Sequence, residues 1–136
     1  MGKTISIVNE KGGCAKTTTA YSLAQGLFMV GYKVLGVDMD SQGNFSTTWG
    51  SDPDCIGIYD VLAKNEPVRD AIQVKPDRFD LISGDKLLRD FAARTSYDTN
   101  FMLHDVLAEV EDEYDFIIID TPPTVATLTT NAMMAS

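Results

Sequence analysis

Residues 9–19 read Asn9-Glu10-Lys11-Gly12-Gly13-Cys14-Ala15-Lys16-Thr17-Thr18-Thr19, and this run limits the fold more tightly than any other segment. It follows Thr4-Ile5-Ser6-Ile7-Val8, whose β-branched, period-two pattern predicts a strand. It opens a stretch that sets Ala20, Leu23, Ala24, Leu27 and Phe28 on one helical stripe. A strand that turns through adjacent glycines into a helix commits the chain to a βα unit. Gly12 and Gly13 permit a sharp bend and let backbone N–H groups approach an anion. The first turn of the helix adds unpaired N–H groups and a partial positive charge. In that setting Lys16 can reach the terminal phosphates of a nucleotide, and Thr17 can offer its hydroxyl to Mg²⁺, a cation that prefers hard oxygen ligands. A lysine- and glycine-rich βα turn without a ligand fits the same residues. The decision between the two rests on the motifs elsewhere in the chain.

The second motif is Val34-Leu35-Gly36-Val37-Asp38-Met39-Asp40-Ser41-Gln42-Gly43-Asn44. Its apolar run reads as a strand buried on both faces, the signature of a parallel sheet. Asp38 and Asp40 then fall at the carboxyl edge, where open α/β sheets place their ligands. A carboxylate there can orient water, or a magnesium-bound water, beside a phosphate. Alternatively the two aspartates only cap the strand and form Asx turns. The third motif, Phe116-Ile117-Ile118-Ile119-Asp120-Thr121-Pro122-Pro123, is a central strand delivering Asp120 to the same edge. Pro122 and Pro123 cannot continue a ladder and turn the chain out into a loop.

The usual phosphate-loop pattern G-x-x-x-x-G-K-[ST] is not met, because Glu10 and Ala15 stand where its two glycines belong. Lys11-Gly12-Gly13-x-x-Lys16-Thr17 instead resembles the deviant phosphate loop of the ParA/MinD family of ATPases. Asp38 to Asn44 is similar to the family's Asp-x-Asp-Pro-Gln-Gly-Asn segment, with Ser41 in place of proline, and Asp120 looks like the aspartate of a Walker B strand. The resemblance implies the following roles. ATP occupies the loop formed by Lys11, Gly12, Gly13, Cys14, Ala15, Lys16, Thr17 and Thr18. Thr17, Asp38 and Asp120 serve Mg²⁺, and Asp40 positions the attacking water. Lys11 and Lys16 are the catalytic cations, with Lys11 reaching the phosphates of a second copy in an ATP-bound homodimer. ATP would then act as a timer for assembly, with slow hydrolysis until a partner assists. Among the family's branches, Asn9-Glu10-Lys11 and Ile58-Tyr59-Asp60-Val61-Leu62 look like short, Soj-like ParA ATPases of plasmid or chromosome partition. A ParB-like partner protein is expected on that basis. A MinD-like division-site regulator and a non-hydrolysing nucleotide-binding or interaction module are the alternatives.

The resemblance spans the whole chain but only about the N-terminal half of a family member. A truncated version of the fold, one domain over residues 1–136, is therefore expected. The 136 residues and 44% hydrophobic content suit a single packed α/β domain. No apolar run approaches the ~20 residues that cross a bilayer, Lys3 is followed by a strand pattern instead of a signal peptide, and no basic amphipathic membrane helix is evident. These features, with the family, imply a cytoplasmic bacterial protein. The net charge of −9 and the run Glu109-Val110-Glu111-Asp112-Glu113-Tyr114-Asp115 offer no DNA-binding face, although full-length relatives are expected to contact DNA non-specifically. Cys14 and Cys55 give neither a disulfide framework nor a metal spacing.

Strands are predicted over residues 4–9, 33–38, 79–83 and 116–119. Helices are predicted over 17–30, with Gly31 past the end, and over 58–62, 68–72, 86–94, 100–111 and 125–134. Residues 41–53 read as a functional loop, with Trp49 as a pin onto the sheet or part of a contact surface. His104 falls on the polar side of its helix. The alternation implies a mostly parallel sheet with helices on both faces, and the resemblance implies that this is a P-loop NTPase fold.

Overall fold

The computed structural model describes residues 3–7, 13–40, 42–88 and 99–120. In chain order the elements are β1 (Lys3–Ile7), α1 (Gly13–Met29), β2 (Val34–Asp38), α2 (Asn44–Trp49), α3 (Ile58–Lys64), α4 (Val68–Ala71), β3 (Ile72–Lys75), β4 (Arg78–Ile82), α5 (Thr99–Ala108), a 3₁₀ turn (Glu111–Glu113) and β5 (Phe116–Asp120). The strands form one sheet in the order β1-β5-β2-β4-β3. β5 lies between β1 and β2, parallel to both, and β2 pairs in parallel with β4. Among the described strands only β3 runs antiparallel, against β4.

Side-chain alternation along each strand divides the core between two faces. On one face Leu35, Val37, Ile117 and Ile119 pack beneath Ile58, Val61 and Leu62 of α3, Val68 and Ala71 of α4, and Leu103 and Leu107 of α5. On the other, Val34, Ile118, Phe79 and Leu81 pack beneath Ala20 and Ala24 of α1 and Phe45 and Trp49 of α2. Helices therefore cover both faces, as expected. Gly36 belongs to the second face, where a Cβ would stand 2.8 Å from the Phe79 ring and 3.0 Å from that of Phe45. The two rings stack there with centroids 5.7 Å apart.

Helix α1 ends as the sequence suggests. Gly31 takes φ +105, and the amides of Gly31 and Tyr32 donate to the carbonyls of Phe28 and Leu27 at 3.1 Å each. These are the two bonds of a Schellman cap, in which a left-handed glycine closes the last turn. The start differs: α1 begins at Gly13, four residues before the expected Thr17. Gly13 is the first residue of the helix, where glycine's interior penalty of about 1 kcal/mol does not apply in full.

Two other expectations are corrected. The segment read as a loop over 41–53 contains helix α2, where Phe45 and Trp49, four residues apart, are both buried. Burial of that pair offsets the poor helix propensity of Asn44, Ser46, Thr47 and Thr48. Among the described residues the sheet has five strands where four were expected, because Ile72–Lys75 pairs with β4 directly after α4. The helix expected over 58–62 runs to Lys64, and that over 100–111 is α5 followed by the 3₁₀ turn. His104 is exposed as expected. Most of the helix expected over 86–94 and all of that over 125–134 lie outside the described residues. Among the described residues no helix is long and apolar enough to cross a membrane.

Candidate nucleotide site at the carboxyl edge of the sheet

β1 leads into α1 through residues 8–12, so Lys11 and Gly12 lie outside the described residues. Gly13, Cys14, Ala15, Lys16 and Thr17 form the first turns of α1. The first amides of any helix lack intrahelical acceptors, which is what an anion at this position requires. Thr18, the last of the expected loop residues, is exposed on the same helix.

β1, β5 and β2 end level with one another. Ile7 is the register partner of Asp120, and Asp120 is in turn the register partner of Asp38. Asp38 and Asp120 are both 0% exposed. Two residues along from Ile118 and Gly36, they face the side of the sheet covered by α1 and α2. The sequence-expected aspartates are thus brought together at one edge, on the face that carries the expected phosphate-binding helix.

Asp38 is surrounded by donors. Its Oδ1 accepts the Asp40 amide at 3.0 Å. Its Oδ2 accepts the Ser46 amide at 2.9 Å and the Ser46 hydroxyl at 2.6 Å. Burial nonetheless pushes its pKa up to about 7; the Ser46 bonds oppose the rise and the charge of Asp120 adds to it. A cation beside this carboxylate would favour its charged form and oppose the rise. Among the described residues no three His, Cys, Asp or Glu side chains gather closely enough to hold a metal ion by themselves. The two buried carboxylates of Asp38 and Asp120 are oxygen donors of the kind Mg²⁺ uses, since it commonly takes one or two carboxylates together with substrate phosphates and several waters.

Asp40 is 3% exposed, and its Oδ1 accepts the Gln42 amide at 2.9 Å. Its carbonyl accepts the Gly43 amide at 3.0 Å. Both aspartates therefore make the local turn bonds that the sequence allowed. A carboxylate offers about four acceptor positions, so this bonding is compatible with a second role for each.

Two residues of this edge escaped the sequence reading. Ser46 is 5% exposed, and its hydroxyl accepts the Gly84 amide at 2.8 Å while donating to Asp38. Gly84 follows β4, and a Cβ there would stand 2.8 Å from the Asp38 carbonyl oxygen and 3.0 Å from that of Asp40. Nothing in the local sequence marks Ser46, since its partner Gly84 is 38 residues away. Beside this network opens a polar cleft of about 360 Å³, lined by Gln42, Ser46, Thr47, Ser83, Gly84 and Lys86 among others. Trp49 is a pin, not part of a contact surface: it is 1% exposed, and its indole N–H donates to the Phe79 carbonyl at 2.7 Å. Cys55 is free and exposed.

Comparison with known proteins shows the family and agrees with the fold. A protein-family model described as an AAA domain matches residues 2–136. The chain is 39% identical to the chromosome-partitioning ATPase Soj of Treponema pallidum (strain Nichols), over all of this chain and 54% of that protein. Among solved structures it resembles a plasmid partition protein from Borrelia burgdorferi, with TM-score 0.89 and 30% identity, covering all of this chain and 63% of the other. It also resembles a protein described as cobyrinic acid a,c-diamide synthase from Mycobacterium smegmatis, solved with a bound ATP analogue and magnesium. That match has TM-score 0.93 and 30% identity, and covers all of this chain and 57% of the other. The chain spans about half the length of the curated relatives it matches. It belongs to the AAA-domain family and, within it, is a relative of the ParA- and Soj-type P-loop ATPases of partition.

Proposed function

We propose that the chain binds ATP with Mg²⁺ at the carboxyl edge of its sheet, hydrolyses it slowly and dimerises in the ATP-bound state, acting as a switch in plasmid or chromosome partition. The observation that carries this reading is the register pairing of two fully buried aspartates, Asp38 and Asp120, beside the strand–turn–helix that opens the chain. Its relatives among partition ATPases, and a structural relative solved with an ATP analogue and magnesium, support it.

Each residue has a role in this scheme. The amides at the start of α1 and the ammonium of Lys16 hold the β- and γ-phosphates. Thr17 and Asp120 hold the metal in this reading, with Asp38 supporting that region from the adjacent strand. When bound, Mg²⁺ neutralises charge on the phosphates and fixes their orientation. Asp40 orients the water for in-line attack. Little else is required, because phosphoryl transfer depends chiefly on positioning and charge stabilisation. Lys11 serves the phosphates of a second copy, so that nucleotide state governs assembly. A ParB-like partner that accelerates hydrolysis follows from the same reading. DNA contact, with a net charge of −9, would need residues beyond those of this chain.

The test is molar mass by light scattering with and without ATP and Mg²⁺. A dimer that forms with nucleotide, and is lost in Lys11→Ala while ATP still binds, is the expected result. ATP binding without a change of mass would favour a nucleotide-binding module that does not switch.

A further inference from the structure

The Ser46 side chain joins two strand exits that carry the site. Asp38 ends β2, whereas Gly84 follows β4. The Ser46 hydroxyl oxygen accepts the Gly84 N–H at 2.8 Å, and its proton goes to Asp38 Oδ2 at 2.6 Å. A hydroxyl has one proton to give, so its rotor is set by these two partners. The Ser46 amide donates to the same Oδ2 at 2.9 Å. Asp38 Oδ1 then holds the amide of Asp40 at 3.0 Å. Gly84 is pressed against the same segment: a Cβ there would meet Asp38 Cγ at 2.9 Å and the Asp40 carbonyl oxygen at 3.0 Å. From Gly84 to Asp40 the chain of contacts is continuous, part-buried at Gly84 and buried at Ser46, Asp38 and Asp40, and Ser46 is its middle link.

We infer that Ser46 is a positioning residue for the hydrolytic step: its hydroxyl ties the β4 exit at Gly84 to the Asp38 carboxylate and so fixes the backbone that carries Asp40. This inference rests on the ATPase reading of the site. Ser46 acts through Asp38 and Asp40, so its removal should affect turnover more than nucleotide binding.

The experiment compares wild type, Ser46→Ala and Ser46→Thr in ATP turnover at saturating Mg²⁺ and nucleotide, in ATP dissociation constant, and in amide hydrogen exchange at Asp40 and Gly84. Loss of a charge-assisted bond predicts a fall of about tenfold or more in turnover for Ser46→Ala, with affinity changed less than about threefold. Ser46→Thr keeps the hydroxyl and restores most of the turnover. Exchange at Gly84 and Asp40 quickens in Ser46→Ala only. Turnover within about twofold of wild type in Ser46→Ala overturns the inference. So does a loss shared equally by binding and turnover that threonine does not restore. If the wild-type chain turns over no ATP, the ATPase reading itself fails. The exchange measurement then decides the tie alone, and unchanged exchange at Gly84 in Ser46→Ala refutes it.

Discussion

Asp38 and Asp120 end adjacent parallel strands as register partners, both fully buried, and the charge of one raises the pKa of the other. This has a consequence for stability in the absence of nucleotide and metal. Asp38 has an ordinary pKa of 3.8 and a folded value of about 7, so between these values the folded state binds more protons than the unfolded state. Stability from this group is therefore present below about pH 4 and is lost as pH rises toward 7. Urea unfolding of the metal-free chain should give a lower midpoint at pH 7.5 than at pH 5.5. Asp38→Asn, which cannot ionise, should show a smaller drop. A midpoint in the wild type that rises over this interval would contradict the assigned environment of Asp38.

Trp49 holds α2 to the sheet through its burial and its 2.7 Å bond to the Phe79 carbonyl. Trp49→Phe keeps much of the apolar volume but leaves that carbonyl without the indole donor. A loss of about 1–3 kcal/mol is expected, the usual result of stranding a buried polar group. Circular dichroism must follow the unfolding, because Trp49 is the chain's single tryptophan. An unchanged midpoint would show that the bond contributes nothing.

Asp40 is fixed by its neighbours on either side, accepting the Gln42 amide and donating its own amide to Asp38. Asp40→Ala should leave ATP affinity nearly unchanged while turnover falls by about a hundredfold or more, the scale for losing a group that positions or deprotonates water. Single-turnover hydrolysis and a binding titration on the same preparation separate the two effects. Loss of binding along with turnover would place Asp40 in nucleotide or metal binding instead.

Much of this edge was legible in the sequence because its signals are local. The β-branched run before Gly12, the apolar stripe from Ala20 to Phe28 and the apolar strands ending in Asp38 and Asp120 each declare their element within a few residues. β3 was not legible: Ile72–Lys75 is four residues long, follows α4 without a break and exists as a strand only because β4 lies beside it. α2 was hidden for a related reason. Asn44, Ser46, Thr47 and Thr48 read as a loop, and the helix is held by burial of Phe45 and Trp49 and by the bonds of Ser46 to Asp38. The link from Ser46 to Gly84 is a contact across the fold, which no local pattern encodes.

The central claim is that the buried pair at the ends of β2 and β5 completes a magnesium–nucleotide site. Isothermal titration of ATP into the chain, with Mg²⁺ and then with chelator, tests it most directly, with Asp120→Ala measured alongside. The account predicts saturable binding that weakens markedly without Mg²⁺, and a wild-type advantage over Asp120→Ala that disappears in chelator. Binding that ignores both Mg²⁺ and Asp120, or no binding at all, would contradict it.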